Sequence, residues 1–266
     1  MDAAIHRAAQ TQGREFVNRC PSVEPELSSE DGKTKESCQV PVEEGYERWA
    51  PIYDHAPNPL IAREYRYLVP FVNVHNKRIL DLACGTGRWL ERLVAQGAEW
   101  GVGIDCSAAM LRVAGKKSAI AGRLAQATCE RLPFRTAVFD LALCSFAVGH
   151  IRNLGATILE LARVTKPTGD VFVTDLHAEA YARGWRVGFR DHGTAVQIEM
   201  QPRVIEEIVA AFCAGGFECL AQHSLYLGDA EEPIFVRAGR AQSFAEACNV
   251  PAVLICHFRR LDSPID

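Results

Sequence analysis

One stretch constrains what this chain can fold into more than any other: Arg78-Ile79-Leu80-Asp81-Leu82-Ala83-Cys84-Gly85-Thr86-Gly87-Arg88-Trp89-Leu90. Ile79, Leu80 and Leu82 form a short apolar run of the kind found in a strand buried on both faces of a parallel sheet. Gly85 and Gly87 follow, and then Leu90, Leu93 and Val94 fall at helical spacing. Strand, glycine turn and helix in that order make the first half of a nucleotide-binding unit. A glycine there admits a tight turn and lets a ligand lie against bare backbone. A second strand, Glu99 to Ile104, ends in Asp105, about 20 residues past the glycines, where a carboxylate can accept hydrogen bonds from ribose hydroxyls. A dinucleotide site places a third small residue in G-x-G-x-x-G/A, and the matching position here is Leu90. The pocket therefore suits an adenosine ligand without a pyrophosphate better than NAD.

With these motifs in place the chain resembles the class I S-adenosylmethionine (SAM) dependent methyltransferases. Asp81 to Gly87 is similar to that family's first motif, and Gly103-Ile104-Asp105-Cys106-Ser107 to its second. Phe139 to Cys144 resembles the strand that follows the adenine loop, and Glu130-Arg131-Leu132-Pro133-Phe134 the lead-in to it. The likeness runs from about residue 46 to about residue 226. It implies an α/β fold, a Rossmann-like three-layer sandwich on a seven-stranded, mostly parallel sheet with one antiparallel strand. It also implies SAM as cofactor. Within the family the chain resembles the small-molecule branch that includes ubiquinone and menaquinone biosynthesis enzymes.

The expected domain organisation is an N-terminal extension over 1–44, largely flexible, and a SAM-binding domain over 45–266 with a lid-like insertion around 176–202. Asn58-Pro59 opens a helix, and Tyr53 before it is expected to border the cofactor. Asp81, Ala83, Cys84, Gly85 and Gly87 form the first cofactor segment that the resemblance implies; Asp105, Cys106 and Met110 form the second. Thr128 stands where relatives carry an acid that contacts adenine, and with Cys129 and Ser145 it completes the expected set. Asp140 is expected to orient backbone near the pocket. Further strands are expected at Leu124–Ala127, Val138–Cys144, Asp170–Asp175, Phe217–Leu225 and Ala252–Phe258, one of the last two antiparallel. About 25 residues separate the strand at 170–175 from the next helix near Arg203, a length usual for a functional or mobile segment. It carries His177, Tyr181, Trp185, Phe189 and His192, and reads as a lid over an acceptor pocket.

SAM presents an activated methyl, so the protein need only align an acceptor, exclude water and, for a hydroxyl acceptor, take a proton. No G-x-S-x-G, H-E-x-x-H or full G-x-x-x-x-G-K-[ST] phosphate loop offers a different chemistry; Gly32-Lys33-Thr34 lacks the loop's first glycine, with Leu27 in its place. A histidine suits the base role. His177 is the first candidate because it directly follows a strand at the ligand end; His150 is the second. The ten cysteines include no C-x-x-C pair, so they read as buried thiols and no metal is expected. The formal net charge of −4 makes electrostatic binding to nucleic acid unexpected. No apolar run reaches the roughly 18 residues of a membrane span, and the N-terminus lacks a signal pattern, so a cytoplasmic monomer or homodimer is expected. The function these readings support is methyl transfer from SAM to a small-molecule acceptor. A SAM-fold binding or scaffold protein, and an RNA or protein methyltransferase, stand as alternatives.

Overall fold

The computed structural model describes residues 24–25, 37–55 and 57–262. Most of the extension expected over 1–44 lies outside the described residues, but its end does not. The chain enters with β1 (Glu24–Pro25), β2 (Ser37–Val40), α1 (Val42–Trp49) and α2 (Pro59–Leu68). There follow β3 (Arg78–Leu82), α3 (Arg88–Ala95), β4 (Trp100–Asp105), α4 (Ala108–Ala114), β5 (Leu124–Gln126), β6 (Phe139–Ser145), α5 (Leu154–Val164) and β7 (Thr165–Leu176). The remainder comprises α6 (Ala178–Ala182), β8 (Trp185–Arg186), β9 (Gly188–Asp191), β10 (Thr194–Ile198), α7 (Ile205–Ala214), β11 (Phe217–Tyr226), α8 (Glu232–Arg237), α9 (Phe244–Ala247) and β12 (Pro251–Arg260).

Seven strands make the central sheet in the order β11-β12-β7-β6-β3-β4-β5. β12 runs antiparallel to both of its neighbours, while β7, β6, β3, β4 and β5 pair in parallel. β12 is therefore the one antiparallel strand expected from the sequence. Side chains alternate across a strand, and the two faces feed two cores. Ile79, Leu141, Leu143 and Ile255 pack with Trp89, Leu90 and Leu93 of α3. Leu80, Leu82, Ala142, Cys144 and Cys256 pack with Ile158 and Leu161 of α5 and with Ile208 and Phe212 of α7. Helices on both faces of one sheet give the three layers.

Local chemistry sets the helix starts. The Asn58 side chain accepts from the Leu60 and Ile61 amides and caps α2, with Pro59 in the first turn. Ser107 caps α4 through the Met110 amide. Gly87 precedes α3 at φ 73°, and a Cβ there would lie 2.4 Å from Ile120 Cδ1, so both backbone and packing require glycine.

The region 176–202 differs from expectation. After the single turn and a half of α6, β9 and β10 form a hairpin, and β10 pairs in parallel with β2. Phe189, Val196 and Ile198 from this small sheet, with Val40, bury Trp49 of α1. Trp185 is buried in the main core instead. The lid-like insertion is thus a packed sheet behind α1, and Ser37–Val40, expected to belong to the flexible extension, is one of its strands.

Candidate active site

A cavity of about 190 Å³ opens at the carboxyl ends of the parallel strands, where this class of sheet binds ligands. Its floor is the turn after β3. The Asp81 carboxylate, on the same face as Ile79, reaches into the helix layer and accepts from the Leu90 amide at 2.9 Å. It thereby holds the first turn of α3 and fixes the turn above it. Burial pushes the Asp81 carboxyl up to about 7. Ala83 takes a left-handed φ of 54°, as does Phe146 (51°) just past β6. Both line the cavity, and strained backbone of this kind clusters at functional sites.

Gly85 faces the cavity at φ 55°, and a Cβ built on it would meet no atom within 4 Å. Bare backbone therefore opens directly onto the space a ligand would fill. Asp105, at the end of β4, accepts from the Gly85 amide at 2.7 Å through Oδ2 and from the Ser107 amide at 2.8 Å through Oδ1. Each oxygen keeps a further lone pair, so the carboxylate can take two adjacent ribose hydroxyls. Burial raises its pKa, against the pull of those amides. The turn and the acid together fit the adenosyl half of SAM.

Cys84, Cys106, Cys129, Met110, Thr128 and Ser145 also line the cavity, as does Tyr53. Burial raises the Cys84 thiol, takes Cys106 up to about 11 and raises Cys129. These sulfurs stay protonated and serve as packing surface, not as nucleophiles. Tyr53 is anchored through its neighbour: Asp54 accepts from Thr86 Oγ1 at 2.8 Å and pairs with Lys117 Nζ at 3.1 Å. Gly87, expected to touch the cofactor, is absent from the cavity wall and acts as the turn residue before α3. Asp140 is also displaced from its expected place. It accepts from the Arg78 amide at 2.9 Å and from Lys166 Nζ at 2.7 Å, at the amino ends of the strands, away from the cavity.

Of the two histidine candidates, the structure brings one to the cavity. His150 lines it, whereas His177 does not. His177 is the N-cap of α6: its Nδ1 accepts from the Glu179 amide at 3.1 Å, so Nε2–H donates to Ser224 Oγ at 3.0 Å. Both ring nitrogens are engaged in fastening α6 to β11, and the base role assigned to His177 is corrected accordingly. Tyr181, Trp185, Phe189 and His192 are likewise not among the lining residues.

Several cavity residues had no sequence assignment. Arg88, at the first turn of α3, pairs with Glu64 of α2 at 2.9 Å, and Glu64 is fully buried. Trp89 Nε1 donates to the same carboxylate at 3.1 Å, and the hydroxyls of Ser145 and Thr174 donate to its other oxygen. Burial pulls the Arg88 pKa down, but Glu64 together with Tyr65 and Tyr53 more than offsets it, and the guanidinium stays charged. A signal for Glu64 was present: it interrupts the buried stripe Leu60-Glu64-Leu68 of α2, an acid where an apolar residue would pack. Tyr46 of α1 is the other omission. Among the described residues, no cluster of three or more His, Cys, Asp or Glu side chains is arranged to hold a metal, and no helix is long and apolar enough to cross a membrane.

Comparison with known proteins agrees with this geometry. Residues 79–169 match a family described as Methyltransferase domain. The malonyl-[acyl-carrier protein] O-methyltransferase of Erwinia pyrifoliae is 37% identical over 99 residues, covering 37% of this chain and 37% of that protein. The demethylmenaquinone methyltransferase of Mycobacterium bovis is 38% identical over 101 residues, covering 37% of this chain and 41% of that protein. The match thus spans about two-fifths of these relatives' lengths. The crystal structure of a SAM-dependent methyltransferase from Mesorhizobium loti superposes with a TM-score of 0.59 at 21% identity, over 74% of this chain and 98% of that one, a likeness of fold. The glycine turn, the ribose-type acid and the matched segment coincide on the same strands: residues 79–169 are similar to the Methyltransferase domain family, on a fold shared with the Mesorhizobium loti SAM-dependent methyltransferase.

Proposed function

We propose that this chain transfers a methyl group from SAM to a small-molecule acceptor. The observation that carries the reading is the pairing of Gly85 and Asp105: open backbone and a half-satisfied carboxylate face one cavity, joined by a 2.7 Å hydrogen bond. When bound, the cofactor supplies a methyl on a sulfonium, already activated for displacement. The chain's part is to bind, orient and exclude water. Asp105 and the Gly85 backbone hold the ribose side. Tyr53, Phe146, Ala147 and Ile151 offer an apolar wall to an acceptor, which suits a planar or oily molecule. The Arg88–Glu64 pair sets the polar base of the site without adding net charge.

The acceptors named for the Erwinia and Mycobacterium relatives, a malonylated carrier protein and demethylmenaquinone, support small acyl and quinone-like acceptors for this chain. A binding protein without transfer is the second reading. It is favoured by Thr128, a hydroxyl in the cavity wall where the resemblance implies an acid that contacts adenine; the carboxylate that lines the wall on this segment is Glu130, two residues on.

Calorimetric titration with SAM, S-adenosylhomocysteine and NAD tests the cofactor. Micromolar binding of the two SAM ligands and none of NAD is expected. Asp105→Ala should weaken both by at least tenfold, since a hydrogen bond to a charged group contributes about 1.5–3 kcal/mol. A folded protein that binds neither SAM ligand would sink the reading. Binding without turnover on any acceptor class would leave the second reading in its place.

A further inference from the structure

Tyr46 and His150 meet in the cavity wall from segments 104 positions apart. Tyr46 Oη lies 3.0 Å from His150 Nε2, with the rings edge-on at a centroid distance of 5.3 Å. On the far side of the imidazole, Nδ1 lies 2.9 Å from the backbone carbonyl of Glu199. A carbonyl only accepts, so the neutral ring carries its proton on Nδ1 and Nε2 must accept the Tyr46 hydroxyl proton. The tyrosine oxygen is then left with lone pairs for a third partner. Glu199 directly follows β10, and its amide is bound to the Val40 carbonyl at 2.9 Å. The small sheet behind α1 therefore orients the imidazole, while Trp49, stacked on Tyr46 at 6.0 Å, backs the phenol ring.

We propose that Tyr46 and His150 form a proton relay that fits this site to neutral hydroxyl acceptors, phenols and enols, with Tyr46 Oη as the atom that takes the acceptor's proton. The inference rests on the methyl-transfer reading and names its acceptor class. A neutral amine attacks through its lone pair before it loses a proton, whereas a neutral hydroxyl must shed its proton as it attacks. In the step, the acceptor O–H proton moves to Tyr46 Oη and the Tyr46 proton moves to His150 Nε2. The electron pair released on the acceptor oxygen forms the new O–CH3 bond, and the C–S bonding pair stays on sulfur as the thioether. The unit of positive charge begins on the sulfonium and ends on the imidazolium, so the buried site gains no net charge. That matters where little water is present to solvate a new ion. Burial lowers the pKa of His150 and raises that of Tyr46, so at neutral pH the resting relay is imidazole and phenol. The charged and titratable groups that act on Tyr46 are Tyr53, Asp175, Asp105 and Arg88.

The full chain, its Tyr46→Phe and its His150→Gln are assayed with SAM and two probes. These are 2-naphthol, neutral at the assay pH, and 4-nitrophenol at a pH where it is already ionised. S-adenosylhomocysteine binding is measured on all three proteins, and the His150 ring nitrogens are observed by 15N NMR. The relay predicts loss of about 100-fold or more in kcat on 2-naphthol for either variant. It also predicts a loss on ionised 4-nitrophenol at least tenfold smaller, and an Nδ1-protonated ring in the wild type. Equal losses on both probes, methylation of neither, or an Nε2-protonated ring would overturn the relay. The NMR arm needs no variant, so a variant that fails to fold leaves the relay open to refutation. Failure of the wild-type protein to bind S-adenosylhomocysteine would instead overturn the methyl-transfer reading beneath it.

Discussion

Glu64 has no exposure to solvent, yet four donors surround its carboxylate: Arg88, Trp89, Ser145 and Thr174. A buried charge of this kind is tolerated because its partners replace water, and removing one partner leaves the other uncompensated. Glu64→Ala should therefore cost about 3–5 kcal/mol, read as a lower denaturation midpoint, because Arg88 would remain buried and unpaired. Asp81 makes a different prediction. Its folded pKa of about 7 lies above the ordinary carboxylate value, so at mildly acidic pH the folded chain holds a proton that the unfolded chain has lost. Its contribution to stability is thus greatest in acid and falls as pH rises toward 7, by at most about 1.4 kcal/mol per pH unit. Asp81→Asn, whose amide oxygen can still accept from Leu90, should flatten that slope in denaturation midpoints measured from pH 4 to 7. Asp175, raised to about 6 by burial, and Asp105, also raised by burial, would contribute to the slope that remains.

At the scale of elements, the glycine turn and its flanking strand and helix were legible because each rests on local geometry. The segment 176–202 was not. Thr194 to Ile198 alternates in the manner of a strand, but its partner β2 lies far earlier in the chain, and no periodicity reports that pairing. Length and aromatic content alone favoured a lid, whereas Phe189 is 4% exposed and stacked on Trp49 at 5.4 Å. Phe189→Ala should cost about 3 kcal/mol or more through the cavity it leaves. Hydrogen exchange should rise first in α1 and β10, the elements that Phe189 holds together. Unchanged protection in α1 would show that the small sheet does not support it.

The molecule as a whole is built on an open sheet whose last strand in the chain, β12, inserts between β7 and the edge strand β11. The parallel order leaves the carboxyl ends of β3, β4 and β6 side by side, and the candidate site collects there. A ligand bound only by the assembled sheet must stabilise it by mass action. S-adenosylhomocysteine at about 100 times its Kd should add roughly 2.7 kcal/mol to unfolding, visible as a raised Tm, and NAD should add nothing. From the sequence alone one could read the strand–glycine–helix unit and the acid that follows it, while the resemblance implied that one of the last two strands runs antiparallel. The unit and the acid depend on residue type and short spacing: bare backbone at Gly85, a short apolar run in β3, and a carboxylate at the end of β4. The tertiary structure alone decided which histidine faces the cavity, that Glu64 anchors Arg88, and that Tyr46 meets His150. These contacts join residues 24 to 104 positions apart, and they exist only because strand order and sheet twist bring helix ends and strand ends to one place.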